Sequence, residues 1–318
     1  MKRRQQFITD GYYRKLIAFH DSARTSWLED PLEGDTPDHG ASLTAYEVKM
    51  SAFNGLMLRY TAGEDISTLA VYLEALVEAY EQYQYALGRY HGEVDISPLN
   101  IEDIVFEYEE FVQVVSFCIL LHRNDLLSRF VRLTDRAGLA SQDVLYEDLL
   151  KKSLPNRFEV DEYYHDNYES LIEAVYAESP AEASALLLDY CSGWYQSFAK
   201  IPNYWHDTHL TMTETDGAYF GYWALEAAAI AYLYDIDDSG VDHMVYPRDL
   251  VEYARSYKPD TVAAERGKVY AGQPCIRTGY WFSPAQSNSR RFFTAGEIMP
   301  EFKGSSWGAT IWYWSGEE

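Results

Sequence analysis

Between residues 8 and 256, apolar side chains return every three or four positions in one segment after another, and Pro or Gly stands at most of the junctions. That spacing puts one face of each segment against a core when the segment is helical, so the body of the chain is restricted to packed amphipathic helices. The expected helices run over 8–29, 42–62, 66–90, 100–122, 124–138, 141–152, 167–178, 180–199, 215–235 and 246–256. They are separated by Pro31, Gly34, Pro37, Gly63, Pro98, Pro155, Pro202 and Gly240. No period of 20–50 residues recurs, so a solenoid is not expected. The fold class that follows is mainly α, with a multi-helix, bundle-like body over 1–258.

Two junctions show how the ends are read. Asn100 precedes IEDIVFEYEEFVQVV, with Ile101, Ile104, Val105, Tyr108, Val112, Val115 and Ile119 on one face, and reads as an N-cap. Ser179-Pro180 opens AEASALLLDYCSGWYQSF with Pro in the first helical turn. The best punctuated stretch is Phe220 to Arg255. There Trp223, Ala227, Ile230 and Leu233 predict a core-facing stripe, and Ala224, Ala228 and Ala231 allow neighbouring helices to come close. Glu226 falls beside the stripe and needs a partner if it is buried. Asp235, Asp237 and Asp238 then crowd the C-terminal end, where acids oppose the helix macrodipole, so something other than helix stability must favour them.

After Lys258-Pro259 the character changes. Residues 267–314 hold Gly, Pro, many aromatics and short alternating runs such as Ala309-Thr310-Ile311-Trp312-Tyr313-Trp314, which predict a small β-rich module over 259–318. Its charges balance, so the whole net charge of −24 belongs to the body. A field of that sign repels nucleic acid and favours a basic protein partner. Cys118, Cys191 and Cys275 are too few and too scattered for a disulfide framework, which fits a reducing cytoplasm. The start MKRRQQFITDGYYRK has no apolar core of a secretory signal, and the longest apolar run, Val114 to Leu121, is far short of a bilayer span. Neither membrane association nor a cofactor is expected.

Several constellations could bear function. Asp235 to Gly240 begins like a calcium loop, but the twelfth position is Tyr246 where a bidentate Glu is needed, so calcium is not expected. His206 and His209 form an HxxH pair without a third ligand, so no metal site is expected either. Between Phe158 and Tyr190 stand nine acids and neither Lys nor Arg: Glu159, Asp161, Glu162, Asp166, Glu169, Glu173, Glu178, Glu182 and Asp189. Tyr163, Tyr164, Tyr168 and Tyr176 are interleaved, and an acidic, Tyr-bearing surface suits a protein interface. Residues 90–122 repeat the theme with Glu93, Asp95, Glu102, Asp103, Glu107, Glu109 and Glu110. In the tail, Arg277, Arg290, Arg291 and Lys303 lie among Trp281, Phe282, Phe292 and Phe293; docking onto the acidic body is preferred there to a grip on nucleic acid. GxSxG, GxxxxGK[ST], HExxH and GxGxxG are all absent, which moves weight from catalysis to binding.

The stretch YFGYWALEAAAIAYLYDIDDS (Tyr219 to Ser239), followed by YPRDLVEYAR (Tyr246 to Arg255), resembles the C-terminal domain of PoNi-type immunity proteins, with the match best over 217–255. Residues 42–210 resemble that family's N-terminal part more weakly. The tail AGQPCIRTGYWFSPA is outside the usual pattern and resembles segments appended to other polymorphic-toxin immunity proteins. The resemblance implies a helical, non-enzymatic, cytoplasmic antidote to PoNe-type DNase effectors of polymorphic-toxin and type VI secretion systems. The expected function is therefore to bind and neutralise a cognate toxin, a basic nuclease, by covering its active-site surface. The expected contacts are Asp235, Asp237, Asp238, Glu159, Asp161, Glu162, Asp166, Glu169, Tyr163 and Tyr164. A hydrolase with a carboxylate-lined cleft is the alternative, and self-association into a homodimer stays open.

Overall fold

The computed structural model describes residues 3–257, 268–283, 285–286, 289–302 and 310–315. The chain divides into two compact units, Met1–Arg255 and Ser256–Glu318. The expected boundary at Lys258-Pro259 lies outside the described residues, as does Lys303.

Among the described residues, the regular structure of the first unit is all helical. Its elements are α1 (Asp10–Glu29), α2 (Pro37–Ala62), α3 (Leu69–His91), α4 (Val105–Leu120), α5 (Asn124–Asp135), α6 (Val144–Leu150), α7 (Glu169–Val175), α8 (Pro180–Ser197), α9 (Thr208–Thr211), α10 (Leu225–Leu233) and α11 (Arg248–Ser256). Local chemistry sets many of the ends. Thr9 and Thr36 cap α1 and α2, accepting hydrogen bonds from the backbone N–H groups of Tyr12 and His39. Ser179 caps α8 in the same way, and Glu182 reaches back to the Glu178 N–H at 2.9 Å, with Pro180 opening the helix as expected. Gly63 (φ 89°) and Gly92 (φ 75°) close α2 and α3 in the left-handed conformation.

Several expected helices are shorter than the spacing suggested, among them 141–152, 167–178, 100–122 and 215–235. Asn100 caps a separate turn, its side-chain oxygen accepting from Asp103 N–H at 3.3 Å, and α4 starts only at Val105. The larger change is at residues 215–235. Helix α10 begins at Leu225, and Tyr219 to Trp223 cross the core without regular secondary structure, every residue of them buried. The turn that makes this possible is Gly221, at φ 123°, where a Cβ would come within 2.1 Å of Thr61 Oγ1. Side chains and one backbone carbonyl satisfy the segment's polar groups. Gln5 donates to Tyr222 O (2.6 Å) and accepts from Tyr222 N–H (3.0 Å); Thr61 donates to Phe220 O (2.6 Å); Gln113 donates to Trp223 O (3.2 Å); Ala224 N–H donates to Val245 O (2.9 Å). Trp223 therefore packs from the lead-in rather than from a helical stripe.

Helix α10 is central, with every residue from Leu225 to Ala231 buried, and it packs on α4, α6, α7 and α8. An Ala-rich helix suits that place because its slim surface lets four neighbours approach. Helix α4 is likewise buried from Tyr108 to Leu120 on all sides, so the one-face pattern expected there is exceeded.

The second unit contains a four-stranded antiparallel sheet, β1 (Lys268–Tyr270), β2 (Gly279–Phe282), β3 (Arg291–Phe293) and β4 (Ile311–Trp314), in the order β1-β4-β2-β3. Val269, Cys275, Trp281, Phe293, Met299 and Trp312 form its core. Arg277, Arg290 and Arg291 lie over Trp314, Tyr280 and Phe293, at 3.7, 4.8 and 4.9 Å from the ring centroids.

A candidate partner-binding face

Asp143 organises the face. It caps α6, accepting from Tyr146 N–H at 2.7 Å, while its other oxygen accepts from Tyr164 N–H at 2.9 Å. Val144 N–H donates to Glu162 O at 2.8 Å, and the His165 ring bonds Ile101 O at 2.8 Å. The loop before α7 is thereby tied to the core. Tyr168, Leu171, Ile172 and Ala174 point inward, and Tyr168 meets the Tyr108 ring at 4.9 Å.

With those side chains inside, the acids are forced out. Glu159, Asp161, Glu162, Asp166, Glu169, Glu173, Glu178, Glu182 and Asp189 are all exposed. Among the described residues only Glu159 pairs with a base, Lys151 at 3.5 Å. Tyr163 and Tyr164 are half-buried between the acids; Tyr176, Phe158 and Leu188 are exposed among them. Desolvation and then the Glu169 and Asp166 charges push the Tyr163 hydroxyl upward, and desolvation followed by Glu102 pushes Tyr164 up to about 12. Both Tyr side chains therefore stay neutral at physiological pH and can donate a hydrogen bond.

The structure separates the other acidic stretches into surface and interior. Glu93, Asp95, Glu102 and Asp103 are exposed, and Glu102 is near enough to Tyr164 to perturb it. Glu107 is half-buried, and Glu109 and Glu110 are each 3% exposed. Glu110 pairs with buried Lys49 at 2.7 Å and accepts from Tyr80. Glu109 accepts from Trp205 Nε1 at 2.6 Å and Gln113 at 2.8 Å.

Asp235, Asp237 and Asp238 also divide. Asp235, exposed and at φ 54°, occupies the left-handed position after α10, and Ile236 N–H closes the turn onto Ala231 O at 3.1 Å. Asp237, exposed, accepts from Ser239 N–H at 3.0 Å, which holds its carboxyl below the usual range. Asp238 turns inward, 5% exposed, and binds Arg255 at 2.7 Å and the Tyr246 hydroxyl at 2.5 Å. The expected surface contact at Asp238 is thus corrected: this carboxylate fastens α11 to the end of α10. The local structure also answers why acids stand at that helix end.

Glu226, whose need for a partner was legible, is fully buried. Its Oε1 accepts from Tyr190 (2.7 Å) and Trp194 (2.9 Å), while Oε2 has no partner. Burial pushes its carboxyl up to about 7, and burial followed by the Glu226 charge raises Glu109 well above the usual range. These are the perturbed carboxylates a hydrolase would require, but they are sealed. The crevice beside Glu109, lined also by Phe53, Tyr204 and Trp205, is too tight for a water molecule. Sequence reasoning missed Glu109, Glu110 and Asp143 as interior anchors; only their immediate apolar neighbours hinted at it. His206 and His209 do not converge on a ligand: His209 bonds the Tyr222 hydroxyl at 2.8 Å, and His206 stacks on Tyr195 at 4.2 Å. Among the described residues no three His, Cys, Asp or Glu are placed to hold a metal, and no helix is long and apolar enough to cross a membrane.

Comparison with known proteins places these features. The crystal structure of protein PA2201 from Pseudomonas aeruginosa matches with a TM-score of 0.57 at 21% identity, over 77% of this chain and 86% of that one, so the fold is shared. No curated protein matches the sequence. A family model described as "PoNe immunity proteins (PoNi), C-terminal" matches residues 141–250, a segment holding α6 to α10, the nine exposed acids and the turn at Asp235. Residues 141–250 are accordingly similar to the C-terminal part of PoNi-type immunity proteins.

Proposed function

We propose that the protein binds a cognate toxin of nuclease type and neutralises it by laying the face between Phe158 and Tyr190 over the toxin's basic active-site surface. The observation that supports this most is the row of nine exposed acids, eight of them without a basic partner among the described residues, on a loop and helices tied to the core. A nuclease groove is basic because it holds phosphate, and carboxylates can occupy the same positions. Neutral Tyr163, Tyr164 and Tyr176 supply contact area and hydrogen bonds at low entropic cost. In this reading the protein acts in the cytoplasm as the antidote of a polymorphic-toxin or type VI secretion effector, occludes by contact, needs no cofactor and does not bind nucleic acid itself. Exposed Asp235 and Asp237 are placed in the same domain and are secondary contacts.

Co-expression with the product of the adjacent upstream reading frame tests the antidote role: rescue of growth is expected, and unimpaired killing would remove that pair. The face is tested by Glu169→Lys with Glu173→Lys, both at exposed positions. These reversals are expected to weaken toxin binding by about tenfold or more and to flatten its salt dependence. Unchanged affinity in calorimetry would move the interface elsewhere.

A further inference from the structure

We propose that Arg132 and Arg136, at the C-terminal end of α5, form a basic border to the acidic face and select the toxin that docks there, by pairing with carboxylates beside the toxin's basic groove. This rests on the reading of the face given above.

The two guanidiniums are left over from a ladder of ion pairs. Helices α3 and α5 run side by side in the same direction, and two rungs join them: Arg123 donates to Glu74 at 3.2 Å, and Arg129 to both oxygens of Glu81 at 3.0 and 2.7 Å. One turn further, Gln84 donates to Leu133 O at 2.9 Å, so Tyr85 comes level with Arg132 where a third acid would continue the series. Tyr85 is 69% exposed. Arg132 is half-buried and Arg136 exposed, and neither has a hydrogen bond or an ion pair among the described residues. Exposed Glu93 and Asp95, on the loop after α3, make no ion pair with either. Burial, and after it the Arg136 charge, pull the Arg132 guanidinium below its usual pKa, although both groups stay charged. The end of a helix favours one cation, but the second, four residues away, is repelled by the first. An anionic partner relieves that repulsion.

Two links set the pair at the edge of the acidic face. Asp135, next to Arg136, holds Arg157 at 2.7 Å, and the face opens at the following residue, Phe158. Two residues after Arg136, Gly138 O accepts from Gln142 Nε2 at 2.5 Å, and Gln142 Oε1 accepts from the Tyr164 hydroxyl at 3.3 Å. A row of carboxylates alone would attract any basic protein. Guanidiniums beside it repel a uniformly basic surface and favour one with carboxylates next to its groove, which fixes the partner's orientation as well as its identity. An extended nucleic acid does not fit, because phosphates beyond the pair would meet the acidic row.

Calorimetry of the full chain with two basic proteins tests the border. One is the product of the adjacent upstream reading frame, and the other is lysozyme, as a generic basic protein. Arg132→Glu with Arg136→Glu adds negative charge, so a partner held by net charge alone would bind this variant more tightly. The expected effects have opposite signs: the toxin binds about tenfold or more weakly, and lysozyme binds as tightly as before or more so. Arg132→Gln with Arg136→Gln, a milder change, should weaken toxin binding in the same direction, and circular dichroism with thermal unfolding verifies the fold of both variants. If the wild type binds the toxin, then unchanged or tighter toxin binding in both variants, or an equal loss for lysozyme, would overturn this proposal alone. Absence of toxin binding by the wild type would overturn the reading of the face and the border with it.

Discussion

Glu226 and Asp238 have opposite relations to what the sequence displays, although both are buried carboxylates in one short stretch. Glu226 is legible because it interrupts a continuous apolar run, and a charge there must be partnered or neutralised. With its carboxyl raised from an ordinary value near 4.5 to about 7, the folded chain holds this proton more tightly than the unfolded chain does. The stabilisation is complete below pH 4.5 and is lost as pH rises through 7, a change on the order of 3 kcal/mol. Glu109 acts in the same direction. Urea unfolding is therefore expected to give higher stability at pH 5.5 than at pH 7.5, and Glu226→Gln, which keeps an acceptor for Tyr190 and Trp194, should reduce the difference. Asp238 gave no such signal, since its neighbours are acids and a turn. Asp238→Ala leaves the Tyr246 hydroxyl and Arg255 without their acceptor and should cost about 2–3 kcal/mol in the same assay. Asp235→Gly should instead leave stability unchanged or raise it by up to about 1 kcal/mol, because glycine adopts φ 54° without strain.

At the scale of elements, the helices were readable where caps and breakers are local. Ser179-Pro180 and Gly63 work through atoms within four residues of themselves. Residues 219–224 were not readable, because a fully buried irregular segment and a fully buried helix show the same unbroken apolar run. What selects the non-helical form is Gly221 beside Thr61, together with Gln5, Gln113 and Val245, all distant in sequence. Gly221→Ala should accordingly destabilise the protein by about 2–4 kcal/mol, through strain at φ 123° and collision with Thr61 and Trp223, and thermal unfolding measures it. The acidic element from Phe158 to Tyr190 was legible as a composition, and its exposure follows from burying Tyr168, Leu171 and Ile172 on the opposite side.

At the scale of the whole molecule, the net charge of −24 bears on how the proposed complex would form. If the acidic face meets a basic toxin, raising NaCl from 50 to 200 mM should weaken the complex by about tenfold or more, mostly through a slower association rate, and stopped-flow mixing would show it. A salt-independent rate would remove electrostatic steering from the mechanism. The sequence alone determined a helical body, most of its caps, a β-rich tail and an acid surplus confined to the body, because spacing, capping and charge are set within a few residues. The tertiary structure alone decided which acids face outward and which are interior. Glu109 and Glu226 are interior because donors reach them from positions 96 and 36 residues away, while the nine acids after Phe158 are exterior because no such donor arrives.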